Sequence, residues 1–235
     1  MKLTQYLMIV ACSVAFTTGA HASTTLDDFN RPDAGTLGSN WTQQSGSSSI
    51  TNNQATGSYT ALATFNGASG NEVSFNLTNV GSDTQYIAAV LGYGKGDNLF
   101  VKVQNNGSAS GFDSYAFYTG NNGSGSFSSL SKSFMSAFVD VKYVGTLATL
   151  TITPDAGAVQ TYSFDYGTIG KAAPTGTGIG LGFYGAALAD NFGNGAGATG
   201  AVPEPATWAM MLAGFGMIGF AARRRPLVKT AASFA

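Results

Sequence analysis

Glu72-Val73-Ser74-Phe75-Asn76-Leu77-Thr78 decides the fold. Successive side chains of an extended chain point to opposite faces, so Val73, Phe75 and Leu77 share one side and Glu72, Ser74, Asn76 and Thr78 the other. One apolar and one polar face is the pattern of a half-buried antiparallel strand. Val139, Val141 and Tyr143 alternate in the same way with Asp140 and Lys142, as do Leu150 and Ile152 with Thr149, Thr151 and Thr153. Working outward, strands are expected over 26–29, 50–55, 59–65, 72–78, 85–93, 98–104, 114–118, 137–143, 146–153, 161–165 and 178–184. Asn105-Asn106-Gly107, Asn121-Asn122-Gly123 and Pro154-Asp155-Ala156-Gly157 supply residues that tolerate the positive φ of tight turns. No stretch of the body keeps a 3.6-residue apolar period. The expectation is all-β, two antiparallel sheets packed face to face.

The two ends of the chain read differently. Residues 1–22 have the form of a secretory signal peptide: Lys2, an apolar run from Leu7 to Phe16, and Ala20-His21-Ala22 as the cleavage site for signal peptidase. Cys12 lies inside that run, with too little apolar sequence before it for a lipoprotein box. Near the other end, 206–222 carries no charge and is followed by Arg223-Arg224-Arg225. Seventeen residues make about 25 Å of helix, at the short limit for a bilayer core of about 30 Å. Trp208 suits the outer interface, and the arginines act as a cytoplasmic stop. Pro203 and Pro205 keep the preceding segment extended and open to a protease. A permanent tail anchor would share the same spacing.

The order Pro203-Glu204-Pro205-Ala206-Thr207-Trp208-Ala209, apolar run, arginines closely resembles the PEP-CTERM sorting signal, in its variant with Trp-Ala after Pro-Glu-Pro. The resemblance implies an exported protein of a Gram-negative, exopolysaccharide-making bacterium. It also implies cutting near Pro203, Glu204 and Pro205 by exosortase, a membrane-embedded protease, after transient anchoring in the inner membrane. The body then passes to the cell surface or beyond. The chain departs from many relatives in a ten-residue tail, 226–235, expected on the cytoplasmic side. The expected organisation is signal peptide 1–22, sandwich 23–192, Gly/Ala linker 193–201, sorting signal 202–225 with a membrane helix over 206–222, and tail.

Removing 1–22 also removes Cys12 and His21, so the exported body has neither cysteine nor histidine. Disulfides, Cys/His zinc sites and Ser-His-Asp or Cys-His nucleophiles are excluded because the residues do not exist. Eleven acidic and six basic side chains leave the body at −5. Such a surface has no electrostatic footprint for nucleic acid. Asn40-Trp41-Thr42 and three similar triplets match the N-glycosylation pattern by chance in a Ser/Asn-rich chain read as bacterial.

Leu26-Asp27-Asp28-Phe29-Asn30-Arg31, Leu37-Gly38-Ser39-Asn40-Trp41-Thr42, Gly178-Ile179-Gly180-Leu181-Gly182-Phe183-Tyr184 and Ala189-Asp190-Asn191-Phe192 resemble concanavalin A-like jelly-roll modules. The resemblance implies that the first and last strands lie side by side. It also suggests structural calcium, for which Asp27, Asp28 and Asp190 would supply hard oxygen ligands. Glycoside hydrolysis needs two facing carboxyl groups. Relatives on this fold carry glutamates alternating along one strand, and here Glu72 is the sole glutamate of the body. A sugar site needs aromatic platforms with a few polar groups. Tyr93, Asn98, Tyr115 and Tyr118 are the candidates, among further rings such as Tyr86 and Phe100 and polar groups such as Gln104. In Tyr115-Ala116-Phe117-Tyr118 one face must take Tyr115 and Phe117, and the other Tyr118. The functional expectation is a non-enzymatic surface or matrix protein, passive or polysaccharide-binding, with a degenerate glycosidase as the competing reading.

Overall fold

The computed structural model describes residues 24–96, 98–120 and 123–194. The chain divides into two compact units, 1–198 and 199–235, and the described residues all belong to the first. The signal-peptide, membrane-helix and tail expectations, with Pro203, Glu204, Pro205, Trp208 and Arg223 to Arg225, lie outside the described residues.

Two antiparallel sheets carry the fold. In chain order the strands are β1 (Thr24–Asp27), β2 (Trp41–Ser45), β3 (Ser48–Thr51), β4 (Gln54–Gly57), β5 (Ala61–Ser69), β6 (Glu72–Thr78), β7 (Gln85–Tyr93) and β8 (Leu99–Asn105). They continue with β9 (Phe112–Thr119), β10 (Gly125–Phe134), β11 (Ser136–Val144), β12 (Leu147–Pro154), β13 (Gln160–Asp165), β14 (Gly178–Tyr184) and β15 (Leu188–Asn194). The first sheet runs β13-β12-β11-β6-β15-β4-β3, with β1 beside β15; the second runs β10-β9-β8-β7-β14-β5-β2. Among the described residues the only helical segment is a single 3-10 turn, Tyr166–Ile169.

The alternation that suggested β6 places Val73, Phe75 and Leu77 in the core, all fully buried, against Val139 and Val141 of β11 in direct register. Ile87, Leu91, Val101, Phe117 and Leu181 of the second sheet meet them from the other side. As the resemblance implied, the first and last strands pair: Thr24 lies opposite Asn194 and Asp27 opposite Phe192.

Three differences from the expected strands have physical reasons. The stretch 50–55 is two strands of a hairpin, turned at Asn52 and Asn53 with φ of 52° and 60°. β2 and β10 escape the alternation rule because each is the outer edge of the second sheet and carries mostly exposed, polar side chains. β15 reaches Asn194, into the stretch read as linker.

Candidate functional site

β8 decides the geometry. Leu99, Val101 and Val103 point into the sandwich, so Phe100, Lys102 and Gln104 stand on the opposite, outer face of the second sheet. Register sets Ala88 and Ala116 to either side of Lys102, and Tyr86 and Ser114 to either side of Gln104. On β9, Tyr115 and Phe117 pack on the core and Tyr118 on the outer face, as the alternation requires.

This face carries its own apolar cluster of Leu62, Tyr86, Ala88, Val90 and Phe100, flanked by Tyr93, Tyr118 and Tyr184. Tyr86 meets Phe100 edge-on at 6.0 Å and stacks on Tyr184 at 5.4 Å with 19° between planes. Tyr59, 73% exposed, extends the row by an edge contact with Tyr184 at 4.9 Å. Lys102 Nζ sits 4.8 Å from the Tyr86 ring centroid and 5.2 Å from that of Tyr118, two cation–π contacts. Burial lowers the Lys102 pKa. Burial, with a smaller contribution from Tyr184, pushes the Tyr86 hydroxyl up to about 12, so it stays neutral.

Two polar atoms of this region are buried without a hydrogen-bond partner, Gln104 Oε1 and Asn98 Nδ2. Buried polar atoms nearly always find partners, and an orphan costs about 1–3 kcal/mol. Gln104 Nε2 is satisfied by Asn106 Oδ1, and its Oε1 is left without a partner. Tyr93 donates its hydroxyl to Gln44 Oε1 at 3.1 Å.

The structure brings Tyr93 and Tyr118 of the sequence-derived set onto one face, leaves Asn98 just before β8 with its Nδ2 buried and unpartnered, and puts Tyr115 elsewhere. Tyr115 stacks on Tyr162 at 4.1 Å, between the edges of the two sheets. Sequence reasoning passed over Lys102 and Tyr184. Val101-Lys102-Val103-Gln104 alternates, which gives the face on which Lys102 stands but not its burial there. No outward position of β7, β8 or the 114–118 part of β9 is acidic.

The acids at the base of the sandwich are otherwise engaged. Arg31 Nη1 and Nη2 donate to the two oxygens of Asp27 at 2.7 and 2.9 Å, and Trp41 Nε1 donates to Oδ2 at 2.7 Å. Burial raises the Asp27 pKa, but the hydrogen bonds from Arg31, Trp41 and the Phe29 amide outweigh it and hold the carboxyl below its ordinary value. Asp28 accepts from the Asn30 amide and Asp190 from the Asn191 amide. Burial, and then the charges of Asp28 and Asp27, push Asp190 up. Asp27, Asp28 and Asp190 are thus neighbours, but among the described residues no three acidic side chains are arranged to hold a metal ion. A cleft of about 450 Å³ next to Trp41 is lined by Leu37, Gln43 and Ser48. There Gln43 already bonds Ser48, Ser45 and Leu62.

Fold and site define an all-β, two-sheet sandwich with an aromatic outer face. Residues 201–225 match the PEP-CTERM protein-sorting motif, which marks the chain as an exported protein. No curated protein matches the chain in sequence. Among solved structures it is similar to a carbohydrate-binding module, CBM66, from Bacillus subtilis, with 12% identity and TM-score 0.40 over 68% of this chain and 93% of that one. It is also similar to a GH43 protein from Bacillus licheniformis, with 13% identity and TM-score 0.45 over 73% of this chain and 39% of that one. A third is the catalytic domain of an endo-1,3-β-glucanase (laminarinase) from Thermotoga petrophila, with 8% identity and TM-score 0.48 over 74% and 98%.

Proposed function

We propose that the chain is an exported polysaccharide-binding protein that works without turnover at the cell surface or in the extracellular matrix. In this reading a signal peptidase removes residues 1–22, an exosortase-like protease processes the Pro203-Glu204-Pro205 region, and the sandwich is the delivered cargo. The outer face of the second sheet is its binding surface. The observation that carries the reading is the coincidence, on one sheet face, of tyrosine rings with the buried, unpartnered Gln104 Oε1. Rings offer apolar platforms to the C–H faces of sugars, and an unpartnered acceptor beside them suits a ring hydroxyl once a ligand or a side-chain shift uncovers it. Absence of carboxyl groups from the outward positions of β7, β8 and Ser114 to Tyr118 supports binding over hydrolysis.

The test is retention on a panel of immobilised bacterial and plant polysaccharides, run beside an assay for reducing ends. Retention that Tyr118→Ala and Gln104→Ala each weaken about tenfold, with no new reducing ends, is expected; a tenfold loss corresponds to about 1.4 kcal/mol. Sugar release by the purified protein would replace this reading with the glycosidase one.

A further inference from the structure

Resting on that reading, we propose that the bound polysaccharide is acidic, and that Lys102 Nζ binds a sugar carboxylate between the rings of Tyr86 and Tyr118. Lys102 is 8% exposed and among the described residues has no carboxylate partner; the one ion pair there joins Arg31 and Asp27. An ammonium partly withdrawn from water needs compensation, and two ring faces supply only part of it. That its pKa is lowered by burial agrees with a charge awaiting a counter-ion.

The surroundings narrow the anion. Ala88 and Ala116 flank Lys102 in register and are small, leaving the ammonium as the chemical feature between the flanking rings. Phosphate or sulfate esters usually recruit several donors or an arginine fork. One lysine supplies a single charge, matched to a carboxylate. A uronic acid places its carboxylate on a sugar ring whose C–H face can lie on Tyr118. The body carries −5, so general attraction for a polyanion is absent and recognition must come from this one local cation.

The experiment uses the full chain in detergent and calorimetry with three probes: polygalacturonate, its methyl ester, and a neutral β-glucan. Polygalacturonate is expected to bind about tenfold more tightly than the ester, about 1.4 kcal/mol. Lys102→Met should equalise the two, and Lys102→Arg should keep the preference. A circular dichroism melt of each variant separates loss of binding from loss of fold. Equal binding of acid and ester by the wild type, or an undiminished preference in folded Lys102→Met, overturns the proposal while leaving the polysaccharide-binding reading intact. No binding of any of the three, on a folded protein, removes both.

Discussion

Arg31 grips both carboxylate oxygens of Asp27 four residues earlier, at 2.7 and 2.9 Å, where β1 pairs with β15. Asp27 stands opposite Phe192, and the indole that donates to its Oδ2 packs on Phe29, Phe65 and Phe192. Charge pairing and ring packing therefore act on the same junction. Trp41→Phe keeps the ring contacts and removes the donor. It should cost about 1.5–3 kcal/mol, the range for a hydrogen bond to a charged group, measured by urea denaturation. Because Asp27 is depressed, its contribution is present above pH 4 and lost as pH falls below about that value. Calcium or EDTA should leave the melting temperature unmoved, since Asp27 is committed to Arg31 and Trp41; a calcium-dependent rise would show that the carboxylates open to a metal.

Asp140 shows the opposite pH behaviour. It stands opposite Ser74 on β6 and Thr151 on β12, is 6% exposed, and its Oδ1 and the Ser74 Oγ both lack partners. Burial, and then the charge and hydrogen bond of Glu72, push it up to about 7, with Lys142 pulling the other way. In the unfolded chain it titrates near 3.8. A raised pKa means that this group's stabilisation is complete below the unfolded value and drains away as pH rises through about 7. Melting temperature should therefore fall between about pH 4 and pH 8. Asp140→Asn should flatten that slope and exceed the wild type at pH 8 by an amount on the order of 1–4 kcal/mol. A variant that melts lower than wild type at pH 8 would show that the carboxylate is stabilised by a partner.

How much of this was legible in the residues depends on burial. β6, β7 and β14 have the bounds their alternation or apolar runs suggest, because one face or both are packed and the pattern records it. β2 and β10 were missed because an edge strand answers to solvent, and serine and glutamine leave no period to read. Tyr118 and Tyr115 were separated correctly by alternation, yet only tertiary pairing shows that Tyr115 meets Tyr162 of the other sheet. Lys102 was overlooked because a lysine on a strand usually faces water. Its burial arises from rings on β7 and β9, which no local pattern in β8 encodes.

Tyr162 and Gln160 fasten β13 to β10 across the gap between the sheets. Tyr162 Oη donates to Gln160 Oε1 at 2.7 Å and accepts from the Ser131 amide at 2.8 Å, while Gln160 Nε2 donates to the Lys132 carbonyl at 2.9 Å. Tyr162→Phe should lower stability by about 0.5–1.5 kcal/mol, the net value of a neutral hydrogen bond, and leave polysaccharide retention unchanged. Tyr115→Ala should behave likewise, with a larger stability loss from the missing ring. Weakened retention in folded Tyr162→Phe would move the binding surface to this edge.

Glu204 lies in the matched sorting motif, between two prolines. Replacing it by alanine leaves both prolines in place and removes the one acidic group of the motif. Glu204→Ala should accumulate as membrane-held precursor, and mass spectrometry of the C-terminus from native cells should find Arg223 to Arg225 still attached in the variant and absent from released wild type. Normal release of the variant would count against exosortase dependence.

Gly182 ties the fold to the binding face. It lies on β14 opposite Ala88, and a methyl built on it would stand 2.5 Å from Cε2 and 2.7 Å from Cζ of Phe100, closer than any real contact. The Phe100 ring must then move, and being fully buried it presses on its cluster, in which Tyr86 is its edge-on neighbour. Gly182→Ala should cost about 1–3 kcal/mol by overpacking and weaken polysaccharide retention along with it. Gly180, two residues earlier, separates the two effects. There a methyl would meet the Ala63 carbonyl oxygen at 2.1 Å, which is backbone of the paired strand and cannot turn aside. Gly180→Ala should therefore damage the sheet pairing, seen as a lower melting temperature and faster amide exchange in β5. A Gly182→Ala protein that melts lower but binds as well as the wild type would show that Phe100 and Tyr86 are packing for the sheet and not part of the surface that meets the ligand.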